Sequence, residues 1–583
     1  MLLGFPQKLK NRVTFRIGGE AGQGITRGGS VLGLALTRAG LNVFGANEFP
    51  SIVRGGHNSY TLTVSKKEVY AQDDLIDIVI ALNKETALLN RHEIQKGGGV
   101  IYDENIDFGE GELSREGVRL FPIPLTEIVK EIGGPIIMRN SVAMGAAIAY
   151  LGLDSGPLEG VITEVFTGRP NVVESNVRAI RMGHNYAREY HKFNGGLKAE
   201  ESSTSRIMVT GGEAIALGAI GAGCSFYSAY PMTPASGLLH YFISKEQEAE
   251  MVVLQAESEI AAVTMAVGAA YAGLRSMTGT SGGGFCLMTE GFGLAGATET
   301  PIVVMLGQRP GPSTGMPTYT AQADLLFAIH SSHGEFPRVV VAPGDVDDCF
   351  TRTVEVFNLA EKYQIPAIIL GDKYLLESHK STYPFDSGNI EIERGGLINK
   401  WKGEKYKRYE ITESGVSPKV ILGTQGATML ANGNEHDEYG FTTVDPVRVV
   451  AMADKRFRKR RHLVDDINGL DPVKVFGEVD SDVTLIGWGS TKGPTLEALG
   501  LLKREGINAR FIQIVYMEPF PAEAFNKAME GRGRSMLLET NITNQLGRLI
   551  REHTGHGFDM TYAKYNGRPF NPREITAEAR KLI

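Results

Sequence analysis

The five residues Tyr230-Pro231-Met232-Thr233-Pro234 constrain this chain most, because two prolines bracket a single hydroxyl residue directly after the apolar run Cys224 to Tyr230. Each proline fixes its own φ and pushes the preceding residue towards extended geometry, so neither a helix nor a central strand can run through Met232 and Thr233. The segment is therefore a strand-to-helix turn. A helix starting here takes Thr233 as its N-cap and Pro234 as its first residue, and its free amides and positive dipole end favour an anion such as a carboxylate. By itself the pattern also fits a threonine that only caps its own helix.

Similar turns recur along the chain. Val13 to Ile17 reads as a strand running into Gly18-Gly19-Glu20-Ala21-Gly22-Gln23-Gly24, followed by a helical pattern from Gly29 to Ala39. Strand, glycine turn and helix invite a phosphate. The dinucleotide fingerprint is missed because Arg27 stands where its third glycine belongs, so Gly22, Gln23 and Gly24 point to a phosphate-bearing cofactor rather than to NAD. Val53-Arg54-Gly55-Gly56 adds a fixed cation, Arg54, in backbone open to close approach. Ile76 to Leu82 and Gly99 to Tyr102 extend the alternation expected of a mostly parallel sheet.

The 583 residues, with 71 glycines, suit several α/β domains. The expected boundaries are a first domain over 1–192, a Gly/Ser-rich linker over 193–206, a second domain over 207–395, a charged connector over 396–418 and a third domain over 419–583. A net charge of -7 argues against nucleic acid or an anionic membrane as partner. No apolar run is long enough to span a bilayer and the start lacks a signal core, so a cytoplasmic protein is expected. Cys224, Cys286 and Cys349 are the only cysteines, too far apart in sequence to suggest a C-x-x-C site, so any iron-sulfur cluster belongs to another chain.

In the second domain, Val252 to Gln255 leads into Glu257-Ser258-Glu259 and a helix of small residues. Glu259 shares a face with Ala262, Val263 and Ala266, but Glu257 has Ile260 and Ala261 at the same offsets, so spacing does not choose between them. Thr280-Ser281 and Arg309 each follow a strand and fall on the same sheet edge as Thr233, the edge where open α/β sheets bind ligands. A loop arginine and a capped helix end on one rim would make a carboxylate clamp. Glu435-His436-Asp437-Glu438 reads as a hydrogen-bonded turn, and Lys455 to Arg461 as a solvated helix face. From Val483 the pattern is again α/β, a small parallel sheet.

Together these segments resemble one family. Tyr230-Pro231-Met232-Thr233-Pro234, Thr278-Gly279-Thr280-Ser281-Gly282, the loop Gln308 to Gly315, His333-Gly334-Glu335, Glu435 to Glu438 and Gly487-Trp488-Gly489-Ser490 are similar, in order, to segments of the 2-oxoacid:ferredoxin oxidoreductases. The front domain resembles their γ subunit, which makes the chain an α subunit with a fused γ domain. The resemblance implies a γ-type α/β domain, a pyrimidine-binding parallel-sheet domain for thiamine diphosphate and a transketolase C-terminal-like α/β domain. It also implies that Thr233 contacts the substrate, Arg309 holds its carboxylate and Glu259 hydrogen-bonds the aminopyrimidine. Tyr230, Pro231, Thr280 and Ser281 would line the cofactor.

The implied reaction is coenzyme A-dependent oxidative decarboxylation of a 2-oxoacid, 2-oxoglutarate or a broad range, with electrons passing to ferredoxin. No G-D-G with a downstream Asn occurs. A β subunit is thus expected to supply the diphosphate site, Mg²⁺ and a [4Fe-4S] cluster, in an αβ or (αβ)2 assembly. A pyruvate- or other oxoacid-specific member, a nucleotide-binding dehydrogenase and a non-catalytic scaffold are the alternatives.

Overall fold

A computed structural model describes residues 11–50, 56–108, 113, 117–191, 197 and 205–583, so Arg54 and most of the expected linker lie outside the described residues. The chain divides into two units, one of residues 1–210 and 378–384, the other of 211–377 and 385–583.

The first unit is built on an eight-stranded sheet that is mixed rather than mostly parallel. Strand Arg12–Glu20 pairs in parallel with Ile76–Ala81, which leads on to the parallel strands Ile94–Asp103 and Arg119–Ile123. On its other side it pairs antiparallel with His57–Ser65, and antiparallel pairing continues through Asn42–Glu48 and His379–Thr382 to Ile207–Thr210. The physical reason is local: only residues 49–56 join Asn42–Glu48 to His57–Ser65, fewer than the roughly dozen a parallel crossover needs, so the two pair antiparallel. Ile207–Thr210, expected to open the second domain, forms an outer strand of this first sheet. Helix Ile25–Arg38 covers the sheet with Ile25, Leu32, Ala35 and Leu36, against Phe15, Val43, Tyr60 and Leu62. Helices Arg139–Tyr150 and Pro170–His191 pack so closely that a Cβ on Gly145 would strike the carbonyl of Ile180, and one on Gly183 that of Val142.

The second unit holds a seven-stranded sheet in the order Tyr516–Glu518, Val339–Val341, Ala367–Asp372, Val303–Gln308, Arg275–Ser281, Cys224–Ala229, Val252–Gln255. All pairs are parallel except the one made by Tyr516–Glu518. The near-continuous burial of the central strands Arg275–Ser281, Val303–Gln308 and Ala367–Asp372 is what a parallel sheet covered on both faces demands. A five-stranded sheet follows, in the order Val473–Gly477, Ala509–Ile514, Val483–Trp488, Arg534–Glu539, Met560–Ala563. It is parallel apart from its antiparallel edge strand Val473–Gly477. The two sheets share one core, in which Phe285, Leu306 and Leu370 join Trp488, Ile512 and Leu549.

Two surface expectations are corrected. Lys455 and Lys459, one turn apart on helix Pro446–Asn468, are fully buried rather than solvated, and both contact the carboxylate of Glu299. Arg408 and Tyr409 in the charged connector are buried too, with Arg408 donating to the carbonyl of Glu299 at 2.7 Å. The reason is a non-local demand: Glu299 is 1% exposed and must be neutralised where it lies.

Candidate active site

Parallel strands deliver their following turns to one edge, and here that edge gathers Tyr230 to Pro234, Glu259, Thr280-Ser281 and Arg309. The proline-bracketed turn does not cap the next helix in the expected way. The Ala235 amide donates to the Met232 carbonyl at 2.7 Å, and helix Ser236–Lys245 begins only after this turn, with Ala235 at its N-cap. Four residues are used to reverse the chain, so the hydroxyl of Thr233 stands ahead of the helix end rather than on it. The carbonyl of Thr233 instead accepts from Nη1 of Arg309 at 2.8 Å. The guanidinium and the turn are thereby fixed to each other. Tyr230 is exposed, and Pro231 is half-buried.

The choice between the two glutamates follows from where the helix starts. Strand Val252–Gln255 ends early, Ser258 caps helix Glu259–Ala272 by accepting from the Ala261 amide at 3.2 Å, and Glu259 becomes its first residue. Glu259 is 6% exposed, whereas Glu257 is exposed. Among the described residues Glu259 has no hydrogen-bond or ion-pair partner from within the chain. It faces the glycine-rich first turn, Gly282-Gly283-Gly284, of helix Gly282–Ala297: a Cβ on Gly284 would come within 2.6 Å of Glu259 Oε1 and would also strike the Thr280 hydroxyl. Only glycine leaves that space open. Thr278, Thr280 and Ser281 carry buried hydroxyls with no partner among the described residues. A buried polar group without a partner costs about 1–3 kcal/mol, so the orphaned Thr280 hydroxyl beside an unpaired carboxylate marks a seat for an outside group.

One member of the rim was not found from the sequence. Asp324 precedes helix Leu325–His330 and looks there like an ordinary helix-starting aspartate, yet its side chain makes no capping bond. Its Oδ2 is buried without a partner and lies against Gly282, the other end of the glycine turn that Glu259 touches. Burial pushes the Asp324 carboxyl up to about 6 despite the opposing pull of Arg309. Burial likewise lowers the Arg309 guanidinium, with Asp324 resisting.

The Gly22-Gln23-Gly24 turn lies in the first unit. Gln23 closes it, accepting from the Glu20 amide through its side chain at 3.0 Å, and its carbonyl receives Nδ2 of Asn140. Gly24 adopts φ 72° and starts helix Ile25–Arg38, which has no side-chain cap and no acid in its first turn. A cavity of about 450 Å³ opens beside it, lined by Gly24, Arg27, Phe166 and Met144 among others. The Glu435 to Glu438 segment is a turn as expected: Glu435 pairs with Arg456, Asp437 receives the amides of Tyr439 and Phe441, and Glu438 holds Lys407.

Residues 14–186 match the family described as pyruvate ferredoxin/flavodoxin oxidoreductase. Residues 217–455 match pyruvate flavodoxin/ferredoxin oxidoreductase, thiamine diP-bdg, and residues 473–556 match the transketolase C-terminal domain. The 2-oxoacid:ferredoxin oxidoreductase 2 subunit alpha of Aeropyrum pernix is 33% identical, covering 98% of this chain and 98% of that protein. The 2-oxoglutarate oxidoreductase subunit KorA of Mycobacterium tuberculosis is 28% identical over 94% of this chain and 87% of its own length. A solved 2-oxoglutarate:ferredoxin oxidoreductase from Magnetococcus marinus, with 2-oxoglutarate, coenzyme A and succinyl-CoA bound, aligns with a TM-score of 0.90. It is 34% identical, with 98% of this chain and 100% of that one covered. On matches that run through both units at this identity, the chain belongs to the alpha subunits of the 2-oxoacid:ferredoxin oxidoreductases.

Proposed function

We propose that this chain, together with a β subunit, catalyses the coenzyme A-dependent oxidative decarboxylation of a 2-oxoacid, 2-oxoglutarate or a broad range, to acyl-CoA and carbon dioxide, passing the electrons to ferredoxin. The observation that carries this reading is the buried, unpaired Glu259 on the same sheet edge as the Thr233–Arg309 pair. An unpaired carboxylate, the orphaned Thr280 hydroxyl beside it and a glycine whose Cβ would fill the space fit the polar edge of an aminopyrimidine. When bound, thiamine diphosphate would supply a carbon acid, nucleophilic once deprotonated, and a cationic ring able to take up the electron pair left by carbon dioxide.

The residues of this chain act around that group. Glu259 hydrogen-bonds the aminopyrimidine and passes a proton to or from it. Thr280 and Ser281 hydrogen-bond the cofactor, and Tyr230 and Pro231 border it. Arg309 pairs with the substrate carboxylate, and Thr233 orients both by anchoring the guanidinium through its carbonyl and offering its hydroxyl to the oxoacid. Gly22, Gln23 and Gly24, at the uncapped helix end of the first unit, are assigned to the phosphates of coenzyme A, and Arg54 is assigned to them from the sequence alone. The diphosphate, Mg²⁺ and the [4Fe-4S] cluster are assigned to the β subunit, in an αβ or (αβ)2 complex in the cytoplasm. Among the described residues no helix is long and apolar enough to cross a membrane.

The test is a panel of 2-oxoacids offered to the purified complex with coenzyme A and a viologen dye. Thiamine-dependent dye reduction with at least one oxoacid is expected. Failure with every oxoacid in a thiamine- and iron-replete complex would overturn the reading.

A further inference from the structure

The rim holds one charged group that the proposed reaction does not use, Asp324. Its position is imposed from several directions. The Asp324 amide donates to Oε1 of Gln308, the last residue of the strand that precedes Arg309, at 3.1 Å. The segment before it is stitched to the C-terminal sheet. Gln322 exchanges backbone and side-chain bonds with Thr540, donates to the carbonyl of Trp488 at 2.9 Å and accepts from Asn541 at 3.0 Å. After it, the Leu326 amide donates to Gln545 at 2.9 Å. A carboxylate fixed this firmly, with Oδ2 buried, unpartnered and pressed against the glycine turn, is not a solvated surface group.

Arg309, from the loop after strand Val303–Gln308, is the charged group that acts on Asp324. Glu259 borders the same glycine-rich helical turn at Gly284 rather than at Gly282, and Asp372 and Glu539 are bonded to Thr320 and to Asn541. Arg309 alone acts on the Asp324 carboxyl in favour of ionisation. Asp324 in turn acts on Arg309, without an ion pair between them at contact distance. The guanidinium that is to receive the substrate carboxylate therefore already has an internal counter-charge nearby.

The geometry points to Asp324 as a positioning residue of the oxoacid seat that sets its charge by exchanging a proton when the substrate carboxylate reaches Arg309. This rests on the assignment of Arg309 to that carboxylate. When an anion arrives at Arg309, two negative groups compete for one half-buried guanidinium, and Oδ2 of Asp324 is shielded from water. Taking a proton onto Asp324 removes the conflict. With the free carboxyl poised at about 6, the seat is mostly anionic at neutral pH, so oxoacid binding takes up a proton.

The experiment uses the complete complex with its β subunit and two arms. In the kinetic arm, KM for pyruvate and for 2-oxoglutarate is measured from pH 6 to 8 in the wild type, Asp324→Asn and Asp324→Glu. The wild-type KM is expected to rise with pH by up to about tenfold per unit, the limit for one linked proton. Asp324→Asn should flatten that slope, and Asp324→Glu should retain it. In the binding arm, calorimetry of the same oxoacids on the thiamine-free wild-type complex, in two buffers of different ionisation enthalpy, should report proton uptake at pH 7.5. A flat wild-type KM profile, no proton uptake on binding, or an unchanged slope in a properly assembled Asp324→Asn complex would each overturn the inference. Were Asp324→Asn unable to assemble, the wild-type profile and calorimetry still decide. Absence of any thiamine-dependent turnover would instead refute the proposed reaction, a separate outcome.

Discussion

Two carboxylates of the second unit are buried in opposite ways. Glu299 is enclosed by Lys455, Lys459 and Arg408. Burial alone would raise its carboxyl, but those three cations hold it well below the usual carboxylate range. Glu259 is almost as deeply buried, yet no group of the described chain answers it. A carboxylate matched inside its own chain is structure, because folding itself supplies its partners. One left unmatched has to be answered by something that arrives later, which is how an active site differs from a core.

This contrast can be broken or sharpened by substitution. Glu299→Gln should have the largest effect, a loss of about 3–5 kcal/mol of stability, since two buried lysines lose their counter-charge. It should be seen in chemical unfolding of the complex at neutral pH. The sign follows from linkage: the folded pKa is depressed, so the difference from wild type is fully present above about pH 4.5 and shrinks as pH falls below it. Glu259→Gln should behave in the reverse manner, with unchanged stability and C2 deuterium exchange on bound thiamine diphosphate slowed by about 10²–10⁴-fold. A stability loss as large as that of Glu299→Gln, with exchange intact, would make Glu259 a structural residue.

Arg309→Ala comes next, with a loss of about 2–5 kcal/mol in kcat/KM carried mainly by the oxoacid KM. An unchanged oxoacid profile in the reconstituted complex would remove Arg309 from the substrate seat. The smallest effect belongs to Gly284→Ala, whose new methyl would press on Glu259 and Thr280. Overpacking of this kind costs about 1–3 kcal/mol, and here it should appear as weakened thiamine diphosphate affinity in a fluorescence titration. If affinity holds while the fold loosens, the space beside Glu259 is packing rather than a cradle.

The same contrast explains what the sequence could and could not reveal. Turns at the ends of parallel strands carry local marks, the prolines around Thr233 and the glycines after Thr280, and they were legible because proline and glycine act on the backbone where they stand. The choice between Glu257 and Glu259 was not legible, since both have small apolar residues at helical offsets; a serine cap one residue before Glu259 decided it. Lys455 and Lys459 looked solvated because their partner lies more than 150 residues earlier in the chain. Asp324 had no local mark beyond that of a helix start, and its burial depends on bonds to Trp488, Thr540 and Asn541 made by its neighbour Gln322. Pairings of that length exist only after the sheets have met. The mixed sheet of the first unit escaped notice for a related reason, since strand direction is set by connections rather than by composition.

The strand Tyr516–Glu518 has a practical consequence. Ile514 is the last residue of a strand in the five-stranded sheet, and Tyr516 already pairs with Val341 in the seven-stranded one, so a single residue, Val515, separates the two. Cutting the gene at the boundary suggested by the transketolase-like region would strip Val339–Val341 of its outer neighbour. The truncated product would then carry an open, wholly apolar edge of three valines, which is a template for intermolecular pairing and insoluble expression. Fragments for crystallisation or complementation should therefore keep residues 211–377 and 385–583 in one polypeptide.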